Sequence, residues 1–96
     1  MLAADGRVIM VTGASGGIGN AIAQCLHDKG YSLSLGARDT AKLGGWVGEG
    51  DQSRLISHAH QATDAANNSA WVDATVARFG RIDGLVNAAG MGGMVN

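Results

Sequence analysis

The stretch TGASGGIG, residues 12–19, decides which fold this chain adopts. It follows a run of β-forming residues, 7–11, and it precedes a segment in which Ile18, Ile22 and Leu26 recur at helical spacing. Glycine adopts positive φ angles and lets a ligand approach the backbone, and the first turn of a helix presents unpaired N–H groups to an anion. A strand, a glycine-rich turn and a helix in this order therefore predict a phosphate-binding site.

The composition is that of one small globular domain, and it lacks the features of nucleic-acid-binding, membrane-spanning and secreted proteins. The chain has 96 residues, 46% of them hydrophobic, and a formal net charge of −1. It has no basic stripe, so we expect no nucleic-acid partner. No apolar run approaches the roughly 20 residues that a membrane span needs, and residues 1–5 do not begin a secretion signal. We expect a cytoplasmic protein with no membrane association.

The cysteine and the histidines indicate neither a disulfide nor a metal site. The single cysteine, Cys25, excludes an internal disulfide and suits a reducing cytosol, and its place in the first helical pattern predicts a buried packing thiol. His58 and His60 share one side of a predicted strand, and His27 is remote from them in the sequence. Because no cysteine or carboxylate completes a metal-ligand pattern with them, we expect no bound metal.

Strands and helices alternate along the chain. We predict strands over residues 7–12, 32–37, 54–58 and 84–87, and helices over 17–29 and 65–79. A further helix that begins at Asp39 or Thr40 is expected to be short or irregular, because several glycines interrupt it. The last helix is expected to pack through one apolar face, formed by Trp71, Val72, Thr75, Val76 and Phe79. The pattern predicts an α/β fold with a parallel sheet of strand order 3-2-1-4 and helices on both faces.

Two motifs resemble those of one enzyme family. TGASGGIG resembles the TGxxxGxG motif of the short-chain dehydrogenase/reductase family, and residues 79–90, FGRIDGLVNAAG, are similar to a second stretch of that family. This second stretch contains the family's NNAG motif with Ala88 in place of the second Asn. The resemblance implies a Rossmann-type NAD(P)-binding domain over residues 1–96. It also implies that this domain is incomplete and forms the first half of a larger doubly wound domain.

The resemblance assigns cofactor contacts residue by residue. The first motif would wrap the cofactor pyrophosphate through Gly13, Ser15, Gly16, Gly17, Ile18 and Gly19. The second motif would line the path to the nicotinamide ribose through Asn87, Ala88 and Gly90. The glycines of the turn also meet the physical demands of such a site, which are a tight exit from the strand, close approach of a pyrophosphate and close contact between helix and strand.

The end of the second strand indicates which dinucleotide binds. An acidic residue there, about 20 residues beyond the glycine turn, would hydrogen-bond a ribose 2′-OH and favour NAD. Ala37 occupies that place, and the Arg38 guanidinium that follows is suited to a 2′-phosphate. We therefore expect NADP(H) to be favoured over NAD(H). An ion pair with Asp39 is the alternative use of Arg38, and Gly16 stands where many NADP-preferring family members carry a second basic residue.

The family usually places an aspartate after the third strand, near the adenine. In this chain Gln61 occupies that place, so the resemblance implies that Gln61 and Ala62 contact the adenine, with the Gln61 side-chain oxygen as an acceptor. Asp64 is then the expected N-cap of the following helix. A slip of this helix by one turn would instead bring Asp64 to the adenine.

The resemblance also implies a reaction, namely hydride transfer between a nicotinamide and a carbonyl or alcohol substrate. The family uses a Ser, a Tyr as general acid/base and a Lys four residues after that Tyr, all beyond the NNAG motif. The single tyrosine of this chain is Tyr31, and Leu35 stands four residues after it. We therefore assign no catalytic residue and expect the 96 residues to be inactive alone. A full-length protein would form a homo-oligomer, and a non-catalytic dinucleotide-binding module is the alternative function.

Overall fold

The computed structural model describes residues 6–60 and 65–88. Its elements, in chain order, are β1 (Val8–Thr12), α1 (Gly17–Asp28), β2 (Ser32–Ala37), α2 (Gly45–Glu49), β3 (Leu55–Ala59), α3 (Ala65–Phe79) and β4 (Gly84–Asn87). A first 3-10 turn (Thr40–Lys42) precedes α2, and a second 3-10 turn (Gln52–Arg54) follows it. The helix predicted after the second strand is thus short and irregular, as its glycines indicate.

The four strands form one parallel sheet in the order β3-β2-β1-β4, which confirms the predicted Rossmann-type topology. The register pairs Thr12 of β1 with Asn87 of β4 and Ala37 of β2 with Ala59 of β3. Because all strands run in the same direction, their carboxyl ends meet at one edge of the sheet. The glycine turn, Arg38 and Asn87 therefore all lie along that edge.

Helices cover both faces of the sheet. The core on one face is a cluster of six buried residues, Val11, Ala14, Ala23, Leu33, Leu35 and Leu55. Trp46 and Val47 of α2 pack against this cluster. Successive residues of a strand point to opposite faces, so Ser34 and Gly36 of β2 face the other way. There they contact α3, which therefore lies on the face opposite α1 and α2.

Three consecutive buried hydrogen bonds link α3 to the sheet. The Trp71 indole N–H donates to the Ser34 hydroxyl oxygen at 2.7 Å, and the Thr75 hydroxyl donates to the Trp71 carbonyl at 2.8 Å. Since the Thr75 hydrogen is used in this way, the Ser34 hydroxyl donates to Thr75 Oγ1, 2.7 Å away. A Cβ on Gly36 would lie 2.7 Å from the Trp71 ring, so the indole packs directly on the backbone of β2.

Two of the predicted packing residues of α3, and the cysteine of α1, are exposed. Trp71 and Thr75 are buried, but Val72 and Val76 are 42% and 45% exposed, because each lies one residue and about 100° further around the helix axis. Cys25 is also exposed, so the predicted buried thiol is wrong. The buried face of α1 contains Ala23, and Cys25 lies about 200° around the axis from it.

An aspartate joins the amino-terminal ends of β1 and β4. The Asp83 carboxylate accepts a hydrogen bond from the Val8 N–H at 2.8 Å, and the Asp83 N–H donates to the Val8 carbonyl at the same distance. Arg81 also bonds this carboxylate, and Arg7 lies 3.6 Å away. The hydrogen bond from Arg81, followed by that from Val8, lowers the pKa of Asp83 below its usual value of 3.8.

The lowered pKa of Asp83 makes the stability of the chain depend on acidity. Its contribution to folding is complete above pH 3.8 and is lost as the pH falls through the lower, folded-state pKa. We expect Asp83→Asn to lower the melting temperature at pH 7 and to flatten its decline between about pH 5 and pH 2. Thermal unfolding at several pH values, with Asp73→Asn on the exposed face of α3 as the control, checks this. Parallel pH curves for wild type and Asp83→Asn would contradict it.

Candidate functional site

The glycine turn leaves β1 through a residue with left-handed backbone geometry. Gly13 has a φ of 63°, which a residue with a side chain rarely adopts, and its carbonyl accepts the Gly16 N–H at 3.0 Å. The next residue, Ala14, is buried and donates its N–H to the Gly36 carbonyl of β2 at 3.0 Å. The turn is therefore tight, and it is tied directly to the strand that leads to Arg38.

Helix α1 begins very close to this turn because residue 19 has no side chain. A Cβ on Gly19 would collide with the carbonyl oxygen of Gly13 and lie 2.8 Å from its carbon, and these are backbone atoms that cannot turn away. Gly19 is buried, as is Ala23 one turn later. Small residues on this stripe let the first turn of α1 pack against the exit of β1.

The start of α1 is exposed and presents the first N–H groups of the helix to solvent. Ser15, Gly16 and Gly17 are exposed, Ile18 is 43% exposed, and a Cβ on Gly17 would meet open space. Among the described residues, no side chain caps this end, and no acidic residue lies in the first turn. The first N–H groups of a helix have no intrahelical partner and carry the positive end of its dipole. These residues fit an anionic group such as a dinucleotide pyrophosphate.

The second motif lies beside the turn at the carboxyl end of β4. The Thr12 hydroxyl donates to Asn87 Oδ1 at 2.9 Å and lies 3.3 Å from the Val86 carbonyl oxygen. This bond holds the exposed Asn87 side chain against the start of the glycine turn, while Ala88 is buried. The structure thus brings the two motifs together across neighbouring strands, although 74 residues separate Thr12 from Val86.

The end of β2 presents an exposed cation at the same edge. Ala37 is 2% exposed, its carbonyl accepts the His60 N–H at 2.8 Å, and the Arg38 side chain that follows is exposed. Asp39 does not pair with Arg38; its carboxylate accepts the Ala41 N–H at 3.0 Å and caps the first 3-10 turn. Within residues 6–60 and 65–88, Arg38 makes no ion pair. Its guanidinium is therefore available to a ligand.

Three of the predicted contact residues, Gln61, Ala62 and Gly90, lie outside the described residues, as does the alternative adenine contact Asp64. His60, immediately before them, is buried, and its ring lies 4.4 Å from that of Trp71. Its Nε2 bonds Asn68 Oδ1, so this histidine has a packing role. Over the described ranges, no group of three or more His, Cys, Asp or Glu side chains is placed to hold a metal ion.

An open cavity of about 340 Å³ lies elsewhere, against the second half of α1 and against α2. Its walls are Gln24, His27, Asp28, Trp46, Glu49 and Gly50. The glycine turn meets the other end of α1, and ten helical residues at 1.5 Å rise separate Gly17 from His27 by about 15 Å. This cavity is therefore separate from the candidate cofactor site.

None of the described helices is long and apolar enough to cross a membrane.

Comparisons with known proteins agree with this geometry. The chain is 49% identical over 90 residues to agropine synthesis reductase from Rhizobium rhizogenes, which covers 93% of this chain and 20% of that protein. Its structure superimposes on a metagenomic short-chain oxidoreductase in complex with NADP with a TM-score of 0.76, at 36% identity, covering 88% of this chain and 39% of that one. It superimposes on a Burkholderia phymatum short-chain dehydrogenase/reductase in complex with NAD with a TM-score of 0.79, at 29% identity, covering 88% of this chain and 31% of that one.

The chain thus spans between 20% and 39% of the length of these relatives. The sequence profile described as short chain dehydrogenase matches residues 7–96, which is nearly the whole chain. Both motifs and all four strands lie within the matched range. The chain therefore belongs to the short-chain dehydrogenase family.

Proposed function

We propose that this chain is the NADP(H)-binding part of a short-chain dehydrogenase/reductase, an oxidoreductase that transfers a hydride between the nicotinamide and a carbonyl or alcohol substrate. The observation that carries the proposal is that an exposed helix start and an exposed arginine, unpaired within the described part of the chain, lie at one edge of the sheet. The helix start can bind a pyrophosphate through its N–H groups, and the arginine can bind a 2′-phosphate through its guanidinium.

The pyrophosphate is assigned to the glycine turn and the start of α1. The first-turn N–H groups of α1 would donate to its oxygens, and the open space at Gly17 would admit them to the backbone. Ser15 and Gly16, both exposed, would supply further contacts from the turn. Asn87 and Ala88, with Gly90, would line the path to the nicotinamide ribose, and Gln61 and Ala62 would hold the adenine. When bound, the nicotinamide supplies or accepts the hydride.

The preference for NADP(H) rests on the residues at the end of β2. Ala37 offers no carboxylate to a ribose 2′-OH, and Arg38 is exposed and forms no ion pair with the described residues. A guanidinium can bond two oxygens of a phosphate at once. One solved relative is in complex with NAD and another with NADP, so membership of the family does not predict which dinucleotide binds. The preference therefore has to be argued from the residues at the end of β2.

Replacing the arginine tests the preference. We expect Arg38→Ala to weaken NADPH binding by about 10- to 100-fold, because two charge-assisted hydrogen bonds to the phosphate are lost, and to leave NADH binding nearly unchanged. The measurement is the dissociation constant of each dinucleotide by calorimetry. Lys42→Ala, which removes another exposed cation from the first 3-10 turn, is the control. An unchanged ratio of the two constants in Arg38→Ala would refute the preference for NADP(H).

The 96 residues are proposed to bind the dinucleotide without catalysing its oxidation. Tyr31, the single tyrosine, lies at the amino-terminal end of β2, whereas the proposed site lies at the carboxyl ends of the strands. Oxidation of NADPH by this chain with a panel of ketones tests the proposal, and turnover would contradict it. We further propose that the complete protein is cytoplasmic and homo-oligomeric.

A non-catalytic dinucleotide-binding module is the second candidate function, because this chain contains both cofactor-binding motifs. The coding sequence after Asn96 distinguishes the two. A continuation that contains Ser and then Tyr-x-x-x-Lys supports the enzyme, and a stop codon supports the module.

A further inference from the structure

The carboxylate next to Arg38 is engaged by its own turn. Asp39 Oδ1 accepts the Ala41 N–H at 3.0 Å, and the Asp39 carbonyl accepts the Lys42 N–H at the same distance. One carboxylate oxygen and the main-chain carbonyl of this residue therefore bond the first 3-10 turn. Asp39 and Arg38 are both exposed and adjacent in sequence, yet they form no ion pair.

The segment that contains both residues is fixed on either side. On the β2 side, the Gly36 carbonyl accepts the Ala14 N–H of the glycine turn, and the Ala37 carbonyl accepts the His60 N–H. Beyond the first 3-10 turn, Leu43 packs against the buried core cluster. The Asp39 cap lies between these two anchored segments, residues 36–37 and Leu43. We therefore expect the backbone direction at Arg38 to depend on the Asp39 cap.

An uncapped carboxylate at this place would act against NADP(H) in three ways. It would pair with Arg38 and so compete with the phosphate, it would repel the phosphate directly, or it would accept the 2′-OH of an NAD ribose. We infer that Asp39 is a positioning residue for dinucleotide selectivity: its cap holds the carboxylate away from Arg38 and orients Arg38 towards a 2′-phosphate. This inference rests on the proposed function.

Two substitutions separate the cap from the charge. Asn caps a helix start about as well as Asp, whereas Ala does not cap it. We expect Asp39→Asn to keep the ratio of NADPH to NADH affinity at or above the wild-type ratio. We expect Asp39→Ala to lower that ratio about five- to tenfold by weakening NADPH binding alone, since the loss of a cap corresponds to a factor of this size. If both variants shift the ratio alike, the charge and not the cap is responsible, and the inference is wrong.

The second 3-10 turn provides a control. Asp51 caps it through Oδ1, which accepts the Ser53 N–H at 3.0 Å, and it lies beyond α2, twelve residues along the chain from Asp39. Unlike Asp39, it also pairs with the arginine of its turn, Arg54, at 3.1 Å, so its replacement removes more bonds than the replacement of Asp39 does. We expect Asp51→Ala to lower the melting temperature and to leave the affinity ratio unchanged. An equal loss of selectivity in Asp51→Ala would show that general destabilisation, not positioning, causes the effect, and would overturn the inference.

The Arg38→Ala result distinguishes the two proposals. If Arg38→Ala leaves the affinity ratio unchanged, the preference for NADP(H) itself is wrong. If Arg38→Ala lowers the ratio and the two Asp39 variants behave alike, the preference stands and only the role of Asp39 is wrong.

Discussion

Gly19→Ala is expected to destabilise the fold by about 3 kcal/mol or more, a large share of the stability of so small a domain. The added Cβ would collide with the Gly13 carbonyl oxygen and lie 2.8 Å from its carbon. Neither atom belongs to a side chain that can change rotamer, and Gly13 is already in left-handed geometry. The first turn of α1 would have to move away from β1. Urea denaturation followed by circular dichroism measures the loss.

Gly17→Ala is the matched variant, since it adds the same methyl group two residues earlier. Its Cβ would meet open space, and Ala is preferred to Gly inside a helix by up to about 1 kcal/mol. We therefore expect the fold to be as stable as wild type or slightly more stable. Binding of the dinucleotide should nevertheless fall about tenfold or more, because the methyl group occupies the space that a pyrophosphate would enter. Equal stability of the two variants would contradict the close contact between α1 and β1.

Ser34→Ala is expected to destabilise the fold by about 2 kcal/mol, although it removes a single oxygen atom. The Trp71 indole N–H would lose its acceptor in a buried position, and the desolvation cost of such a donor is about 1–3 kcal/mol. Thr75 Oγ1 would lose the hydrogen bond that it accepts but keep the one that it donates to the Trp71 carbonyl. The change in Trp71 fluorescence and the free energy of unfolding in urea together measure the effect.

Ser57→Ala on β3 provides the comparison for this substitution. Ser57 lies on a strand of the same sheet but is exposed, so its replacement should change the stability by no more than about 0.5 kcal/mol. A loss in Ser34→Ala as small as that in Ser57→Ala would mean that the buried chain of hydrogen bonds does not seat α3.

The order and bounds of the elements could be predicted from the sequence because glycine marks the ends of two helices. Gly30 and Gly80 have φ angles of 100° and 82°. Helix α3 ends immediately before Gly80, and α1 ends at Asp28, two residues before Gly30. Strands β2 and β4 match their predicted bounds, and β3 is displaced by one residue at each end. The alternation of these elements with short connections then led directly to the observed strand order.

Side-chain burial and the polar contacts of the site could not be predicted in the same way. Val72 and Val76 fit an apolar helical pattern, but the pattern does not reveal that Trp71 and Thr75 are the buried residues of α3. Asp39 had two partners within reach, and only the geometry of the turn shows that it caps and does not pair with Arg38. The bonds of Ser34 to residues 37 and 41 positions away follow from no local pattern.

The most direct test of the central proposal is a calorimetric titration of the 96-residue chain with NADPH and, separately, with NADH. If the glycine turn holds the pyrophosphate and Arg38 holds the 2′-phosphate, both ligands bind, and NADPH binds at least about tenfold more tightly. Equal affinities, or tighter binding of NADH, would contradict the role of Arg38. Failure of both dinucleotides to bind would contradict the cofactor site itself.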